Sequence, residues 1–264
     1  MRPLLSGLAP ARRRLVLLVV GALLLAVLVA GGVGLARALS RPGAVDQRSL
    51  GPVVVVPGYG GRVSSLDPLV RELRREGREA VVFTPTENNE GDLRVQARRL
   101  GALVDRTRER TGADSVDLVG YSAGGVIVRL FVRDDDGASV VRRVLTLGSP
   151  HHGTDVAALA QEVAGGCPTA CEQLATGSDL LRRLDAGDET PSGPRWTTVR
   201  TEDDQTVTPS ASAALDGAVN VVVQDVCPQA TTGHGELPGD PVVLATLRSA
   251  LGRDGPRAPA GVRC

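Results

Sequence analysis

Short runs of β-branched and other apolar residues alternate along this sequence with longer segments whose apolar residues recur at helical spacing. Residues 53–56 are four consecutive valines, which is typical of a strand buried on both faces. The same patterns predict strands at 53–56, 80–83, 116–119, 140–147, 196–200 and 219–223, and helices at 66–76, 93–111, 123–133 and 242–251. Such an alternation predicts an α/β fold with a mainly parallel sheet flanked by helices.

Residues 150–195 interrupt this alternation. They contain two cysteines, several glycines and prolines, and short helical pieces such as 178–184. We expect this segment to form a small cap or rim insertion over the sheet. The predicted organisation is therefore one domain at 52–252, with a linker at 39–51 before it and a tail at 253–264 after it.

The N-terminus has the pattern of a targeting segment. Arginines at 12–14 precede an uncharged apolar run at 15–36, which is long enough to cross a bilayer. The tripeptide at 36–38 resembles an A-x-A cleavage site, so we predict that residues 1–38 are either a cleaved signal peptide or a signal anchor. A buried core helix is disfavoured because the run lacks a polar face. Both favoured alternatives place the rest of the chain outside the cytoplasm, secreted or held at a membrane by this segment.

The cysteine content agrees with export. An even number of cysteines in an exported chain predicts two disulfides. Of the three pairings open to four cysteines, we favour Cys167–Cys171, a short local link, and Cys227–Cys264, which would hold the C-terminal tail. A zinc site is disfavoured because the cysteine spacings do not match those of zinc ligands.

The charge balance argues against a nucleic-acid partner. The sequence has 30 basic and 30 acidic residues, whereas a nucleic-acid-binding domain carries a basic excess on one face. Aromatic residues make up only 2% of the chain, which also argues against a surface that stacks on single-stranded bases.

The segment at 118–128, LVGYSAGGVIV, places one serine between two glycines where a predicted strand meets a predicted helix. A sharp strand-to-helix turn that exposes Ser122 needs neighbours without bulk, and Gly120 and Gly124 meet that need. The N–H of Ala123 would lie at the start of the helix, where it can bind an oxyanion. Ser122 is therefore our candidate nucleophile.

A serine nucleophile in such a turn is followed along the chain by an acid and then by a histidine. The chain has three histidines, His151, His152 and His234, and only His234 comes late. It lies in a loop after the strand predicted at 219–223, at the edge where the sites of parallel sheets assemble. His234 is therefore the candidate base.

Three acids follow the strand predicted at 196–200: Glu202, Asp203 and Asp204. The acid has to accept the Nδ1–H of the histidine, because this bond leaves the other ring nitrogen free to act as a base. The position of the acids in the sequence leaves all three open.

The loop after the first predicted strand, PGYGG at 57–61, is rich in glycine. Gly58, Gly60 and Gly61 allow the backbone to approach a ligand closely. The N–H of Tyr59 is the candidate for the second oxyanion donor.

Together these motifs resemble the α/β-hydrolase family, and in particular the small secreted bacterial lipases and esterases and the related class 2 lipases. The matching pieces are PGYGG, GYSAGG, LTLGSPHHGT, an Asp-x-x-Val pattern at 204–207 and Gly233-His234, which occur in the family's order between residues 53 and 251. The Asp-x-x-Val match selects Asp204 over Asp203. Pro57 departs from the family, which often has histidine at this position.

The resemblance implies a lipase or esterase that forms an acyl-enzyme. Ser122, Asp204 and His234 would form the catalytic triad, and the N–H groups of Tyr59 and Ala123 would form the oxyanion hole. The substrate would be a small-molecule carboxylic ester or lipid, and the mechanism needs no cofactor. A cell-envelope acyltransferase on the same fold and a non-catalytic, hydrolase-like binding protein remain alternatives.

Two further expectations concern the insertion. A hydrophobic acyl groove would be lined by Val156, Leu159 and Leu174. We expect His151 and His152 to have a structural role or to shape the rim of the site rather than to bind a metal, because neighbouring side chains in an extended segment point in opposite directions.

Overall fold

The structure is a computed structural model that describes residues 14, 18–28, 31–32, 45–163 and 166–264. Within this part of the chain, six strands form one sheet in the order β2-β1-β3-β4-β5-β6, and all neighbouring strands are parallel. The predicted parallel α/β sheet is therefore confirmed. The strands are β1 (Val53–Val56), β2 (Ala80–Val82), β3 (Val116–Tyr121), β4 (Val141–Leu147), β5 (Arg195–Arg200) and β6 (Val219–Val222).

The helices follow the predicted positions closely. Those of the sheet layers are α1 (Asp67–Arg75), α2 (Leu93–Thr111), α3 (Ala123–Asp134) and α8 (Pro241–Leu251), and a short α7 (Val223–Val226) follows β6. The insertion contains α4 (Asp155–Val163), α5 (Thr169–Leu174) and α6 (Asp179–Leu184). Short 3₁₀ turns occur at Val63–Leu66, Glu87–Asn89, Gly137–Ser139, Ser210–Ala213 and His234–Gly239.

Local signals in the sequence set several helix ends. The carboxylate of Asp92 accepts the N–H of Arg94 at the start of α2, and Gly112 ends this helix in the left-handed conformation. Asp240 caps α8 in the same way, directly before a proline in the first turn. These signals explain why the predicted bounds of α2 and α8 agree with the structure to within one residue.

Alternate residues of the central strands pack on opposite faces of the sheet. Val54 and Val56 belong to one hydrophobic core with α2, α3 and the insertion, and Val53 and Val55 belong to a second core with α1 and α8. The uninterrupted valine run of β1 therefore reflects a strand that is covered on both faces.

The insertion packs on the core that contains α2 and α3. Leu174 was expected to line a groove, and this expectation is wrong: its side chain is 5% exposed within that core. Val156 and Leu159, in contrast, are 46% and 59% exposed on α4. The helix predicted at 178–184 begins at Asp179, because Ser178 caps it by accepting the N–H of Leu181.

The structure joins Cys167 to Cys171 and Cys227 to Cys264. The first disulfide closes a loop at the start of α5. The second connects the chain after α7 to the C-terminal residue, so the tail is held against the domain that precedes it.

By its internal contacts the chain divides into two units, Met1–Gly43 and Ala44–Cys264. In the first unit, residues 18–28 are helical, and no helix among the described residues is long and apolar enough to cross a bilayer. The rest of the predicted signal segment, apart from residues 14 and 31–32, lies outside the described residues, as does the first half of the predicted linker. The signal prediction therefore stays a prediction.

Candidate active site

Ser122 lies at the turn between β3 and α3 with a φ of 54° and a ψ of −129°, a backbone conformation that residues other than glycine rarely adopt. The glycines on both sides allow the turn to be this tight. A Cβ on Gly120 would come within 2.5 Å of the Gly125 Cα, and a Cβ on Gly124 would overlap the carbonyl oxygen of Val56. Close backbone packing therefore requires glycine at both predicted positions.

The structure brings the predicted base next to the predicted nucleophile. The Nε2 atom of His234 lies 3.0 Å from the Oγ of Ser122, and its Nδ1 lies 2.7 Å from the Oδ2 of Asp204. These three residues come from three separate loops, each at the carboxyl end of a strand. Parallel strands end at one edge of the sheet, which is why distant parts of the chain meet there.

Asp204 is oriented by its own loop. Its Oδ1 accepts the backbone N–H groups of Thr206 and Val207, both at 2.8 Å, which leaves Oδ2 directed at His234. Asp204 is 4% exposed, whereas Glu202 and Asp203 are exposed to solvent. Of the three acids that the sequence leaves open, the structure places Asp204 against the histidine.

Gly148, directly after β4, packs against this histidine–aspartate pair. It has a φ of 50°, and a Cβ at this position would lie 3.1 Å from the Nδ1 of His234 and 3.2 Å from the Oδ2 of Asp204. Any side chain here would therefore press on the bond between the two residues.

The predicted oxyanion loop, residues 57–61, approaches Ser122 from β1. A Cβ on Gly58 would lie 2.8 Å from the Cβ of Ser122 and 3.3 Å from its Oγ, so a side chain at this position would collide with the serine. Among the described residues, neither the N–H of Tyr59 nor that of Ala123 makes a backbone hydrogen bond. Two backbone donors near the serine therefore remain available for a ligand.

Tyr121 contacts His234 through its hydroxyl and its ring. Its hydroxyl donates to the carbonyl oxygen of His234 at 3.1 Å, and the two rings lie 5.2 Å apart. Burial, together with the negative charges of Asp204 and Glu236, raises the pKa of Tyr121 to about 12. The phenol therefore stays protonated and continues to donate this bond at any pH at which a histidine base would work.

The two adjacent histidines of the insertion point to different partners. His151 is fully buried beside the hydroxyl of Thr146, and burial, with the charges of Arg129 and His152, holds its pKa well below the usual value. His152 instead contacts the carboxylate of Glu189 at 2.7 Å.

His152, Asp185 and Glu189 are close enough together to be considered as metal ligands. The buried guanidinium of Arg129, however, lies 2.7 Å from the Asp185 carboxylate and 4.0 Å from that of Glu189. The cluster is therefore an ion-pair network in which one buried arginine offsets part of the charge of two half-buried carboxylates.

Comparison with known proteins is consistent with this geometry. A model of the family described as palmitoyl protein thioesterase matches residues 52–184, which is half of the chain. The chain belongs to this family. The match includes the oxyanion loop and the Ser122 turn and ends before Asp204 and His234.

A triacylglycerol lipase from Vibrio cholerae is 31% identical to the chain over 173 residues, which cover 60% of this chain and 52% of that protein. The chain thus spans about half the length of this relative. The relative agrees with the lipase resemblance predicted from the motifs.

Two solved lipase structures share the fold. Lipase B of Aspergillus fumigatus aligns with a TM-score of 0.71 and 20% identity, over 84% of this chain and 57% of that one. The mature form of the lipase BlEst2 from Bacillus licheniformis aligns with a TM-score of 0.56 and 22% identity, over 66% of this chain and 83% of that one. The predicted α/β-hydrolase fold is confirmed.

Sequence reasoning missed three residues around the site: Tyr121, Gly148 and Asn89. Tyr121 lies in the GYSAGG motif and Gly148 in LTLGSPHHGT, but neither motif predicts their contacts with His234. Asn89 lies in none of these motifs, and the sequence carries no signal that would connect it to the loop after β1.

Proposed function

We propose that this chain is a serine hydrolase that cleaves carboxylic esters of lipid or acyl character. The observation that carries the proposal is the relay of contacts from Ser122 to His234 at 3.0 Å and from His234 to Asp204 at 2.7 Å. A serine hydroxyl becomes a nucleophile when a base in this position accepts its proton. The same three-residue arrangement performs acyl transfer on unrelated folds.

In the proposed reaction, the Oγ of Ser122 attacks the ester carbonyl carbon while its proton passes to the Nε2 of His234. Asp204 accepts the Nδ1–H of the histidine and stabilises the imidazolium that forms. The imidazolium then gives its proton to the departing alcohol, and an acyl-enzyme remains. A water molecule activated by His234 cleaves this acyl-enzyme, which releases the carboxylic acid and restores Ser122.

The negative charge that develops on the carbonyl oxygen needs donors fixed in advance. The N–H groups of Tyr59 and Ala123 serve this role in our proposal, because neither makes a backbone hydrogen bond among the described residues. Ala123 directly follows Ser122, and Tyr59 directly follows Gly58, which packs against Ser122. The Ala123 N–H also lies at the start of α3, where the helix dipole favours a negative charge. Loss of one such donor typically lowers kcat by about 10²- to 10³-fold.

Exposed apolar side chains near the site favour an acyl substrate. Tyr59 and Val63 follow β1 and are each 42% exposed. Val156 and Leu159 lie three residues apart on α4, whose first N–H is bonded to the loop that carries Asp204. Exposed apolar surface often marks a site that binds an apolar ligand, so these side chains support an acyl substrate.

Membership of the palmitoyl protein thioesterase family favours acyl thioesters as a second substrate class. The same residues would serve, since Ser122 attacks the same carbonyl carbon and a thiol replaces the alcohol as the leaving group. The two classes differ only in the group that departs.

Hydrolysis of p-nitrophenyl esters from acetate to palmitate, with palmitoyl-coenzyme A as the thioester, tests both classes. We expect the wild type to hydrolyse acyl esters and Ser122→Ala to have a kcat at least about 10³-fold lower. Ser49→Ala is the matched control, because Ser49 is exposed and its hydroxyl bonds, among the described residues, only to Asp46. A wild type that is inert, or a Ser122→Ala variant with wild-type kcat, would refute the proposal.

The same assay separates the alternative functions. With glycerol added as an acyl acceptor, an acyltransferase would form the glycerol ester in preference to the free acid, whereas a hydrolase would release mainly the acid. A non-catalytic binding protein would release neither product.

We also propose that residues 52–252 form the catalytic domain and that this domain works outside the cytoplasm. The two disulfides support this location, because disulfides persist in oxidising compartments.

A further inference from the structure

A strained turn after β2 places one buried asparagine beneath the oxyanion loop. Three consecutive residues of this turn, Glu87, Asn88 and Asn89, have φ values of 50°, 51° and 59°. Apart from glycine, asparagine is among the few residues that adopt this left-handed conformation, but usually as a single residue, so a run of three is unusual. The neighbouring Thr86 is anchored to α2 by the side chain of Gln96, so the rest of the fold holds the turn in place.

Asn89 is the buried member of this turn, with no exposed surface, whereas Glu87 and Asn88 face solvent. Its Nδ2 donates to the carbonyl oxygen of Pro57 at 2.8 Å and to that of Gly58 at 3.1 Å. Both partners are acceptors, so only the amide nitrogen can face them. One side chain therefore fixes two successive peptide groups of the oxyanion loop.

These bonds, together with the bond from the Gly61 N–H to the carbonyl oxygen of Gly58 at 3.1 Å, determine where the Tyr59 N–H points. The peptide bond between Gly58 and Tyr59 is trans, so the carbonyl of Gly58 and the N–H of Tyr59 point in opposite directions. Asn89 holds the carbonyl on its own side of the loop. The N–H of Tyr59 is thereby directed away from Asn89. It can then donate to a substrate carbonyl next to Ser122.

The second polar atom of the Asn89 side chain makes no comparable contact. Its Oδ1 is buried and has no hydrogen-bond partner among the described residues. A buried acceptor without a partner is unfavourable, and native structures retain few of them. Together with the left-handed backbone, this indicates a residue kept for its two contacts with the loop rather than for folding.

We propose that Asn89 is a positioning residue that holds the oxyanion loop in its catalytically competent conformation. The inference rests on the proposed serine hydrolase function. Asn89 touches neither substrate nor nucleophile, and it acts through the peptide group that carries the Tyr59 N–H. Because the N–H of Tyr59 matters most when charge develops on the carbonyl oxygen, loss of Asn89 lowers kcat and leaves KM nearly unchanged.

Two substitutions test this role. Asn89→Asp keeps the shape of the side chain but replaces the donor amide with an acceptor that repels the two carbonyls. Asn89→Gly removes both bonds while relieving the left-handed strain, so the variant is expected to fold. The matched control is Asn88→Ala, because Asn88 has the same backbone conformation but an exposed side chain.

For a p-nitrophenyl ester, we expect both Asn89 variants to lower kcat by about 10- to 100-fold, with KM within about threefold of wild type. The inhibition constant of an alkylboronic acid, which forms a tetrahedral adduct with Ser122, should rise by a similar factor. Asn88→Ala should stay within about twofold in all three constants. Circular dichroism and thermal unfolding check that each variant is folded.

Wild-type kcat in either folded Asn89 variant would overturn the inference. So would a loss of kcat without weaker boronate binding, or unfolding of both variants, since a purely structural residue would behave in this way. These results differ from a failure of the proposed function itself, in which the wild type would hydrolyse no ester at all.

Discussion

Replacing Gly148 with alanine tests whether the histidine–aspartate pair depends on the space that this glycine leaves. The new Cβ would meet the Cδ1 of Leu237 at 2.7 Å, the Nδ1 of His234 at 3.1 Å and the Oδ2 of Asp204 at 3.2 Å. Ordinary contacts of a Cβ begin at 3.4 Å, so all three neighbours would have to move by a few tenths of an ångström or more.

Two costs add in this variant. A left-handed φ costs a residue other than glycine about 1–2 kcal/mol, and overpacking a filled site costs about 1–3 kcal/mol. The free energy of unfolding should therefore fall by about 2–5 kcal/mol, which lowers the Tm of a domain of this size by about 5–15 °C. A displacement of about 1 Å in an active site costs about 10²-fold in rate, so a shift of a few tenths should lower kcat/KM by about 3- to 10-fold.

Gly112→Ala is the matched control. Gly112 ends α2 with a φ of 68°, and a Cβ there would have no neighbour within 4 Å. This variant carries the backbone strain alone, so it should lose about 1–2 kcal/mol of stability and keep wild-type activity. Thermal unfolding measures the loss of stability. Ester hydrolysis, assayed at a temperature below the unfolding transitions of both variants, measures the effect on activity separately. If Gly148→Ala were as stable and as active as Gly112→Ala, the steric reasoning would be refuted.

Two further predictions concern residues that contact His234. Asp204→Asn should lower kcat by up to about 10⁴-fold, because an amide N–H facing Nδ1 favours the wrong histidine tautomer. Asp203→Asn, at the exposed neighbour, should change kcat less than twofold. An equal loss of kcat in both variants would contradict the assignment of Asp204. Tyr121 has its pKa raised to about 12, above the value of 10.0 for an exposed phenol, so its contribution to stability is complete below pH 10 and is lost as the pH rises towards 12. In Tyr121→Phe, the decrease in the free energy of unfolding between pH 10 and pH 12 should therefore be smaller by about 2–3 kcal/mol. If the pH dependence of unfolding were the same as in the wild type, this role of Tyr121 would be refuted.

Much of the fold could be predicted because its signals are local. The valine run of β1 and the Gly112 helix end each depend on residues within a few positions. The Ser122 turn is local as well, since close backbone packing requires its glycines. Such features depend on the conformational preferences of short segments, and these preferences follow from the residue types in the segment.

The acid shows where sequence reasoning stops. Position along the chain left Glu202, Asp203 and Asp204 equivalent, and only a resemblance to a known family selected the third. The structure distinguishes them because Asp204 accepts two backbone N–H groups of the loop after β5, whereas the other two acids are exposed to solvent. The predicted groove residue Leu174 was wrong for a related reason, since an apolar side chain on a short helix fits a core as well as it fits a groove.

By itself, the sequence determined the parallel α/β architecture, the Ser122 turn, the late histidine and the glycine-rich loop after β1, because each of these depends on neighbouring residues. The tertiary structure decided which acid meets His234, that Tyr121 and Gly148 support the pair, and that Asn89 reaches beneath the oxyanion loop. Asn89 and Gly58 are 31 positions apart, and no periodicity connects them. Such contacts arise only when parallel strands bring their carboxyl ends to one edge of the sheet.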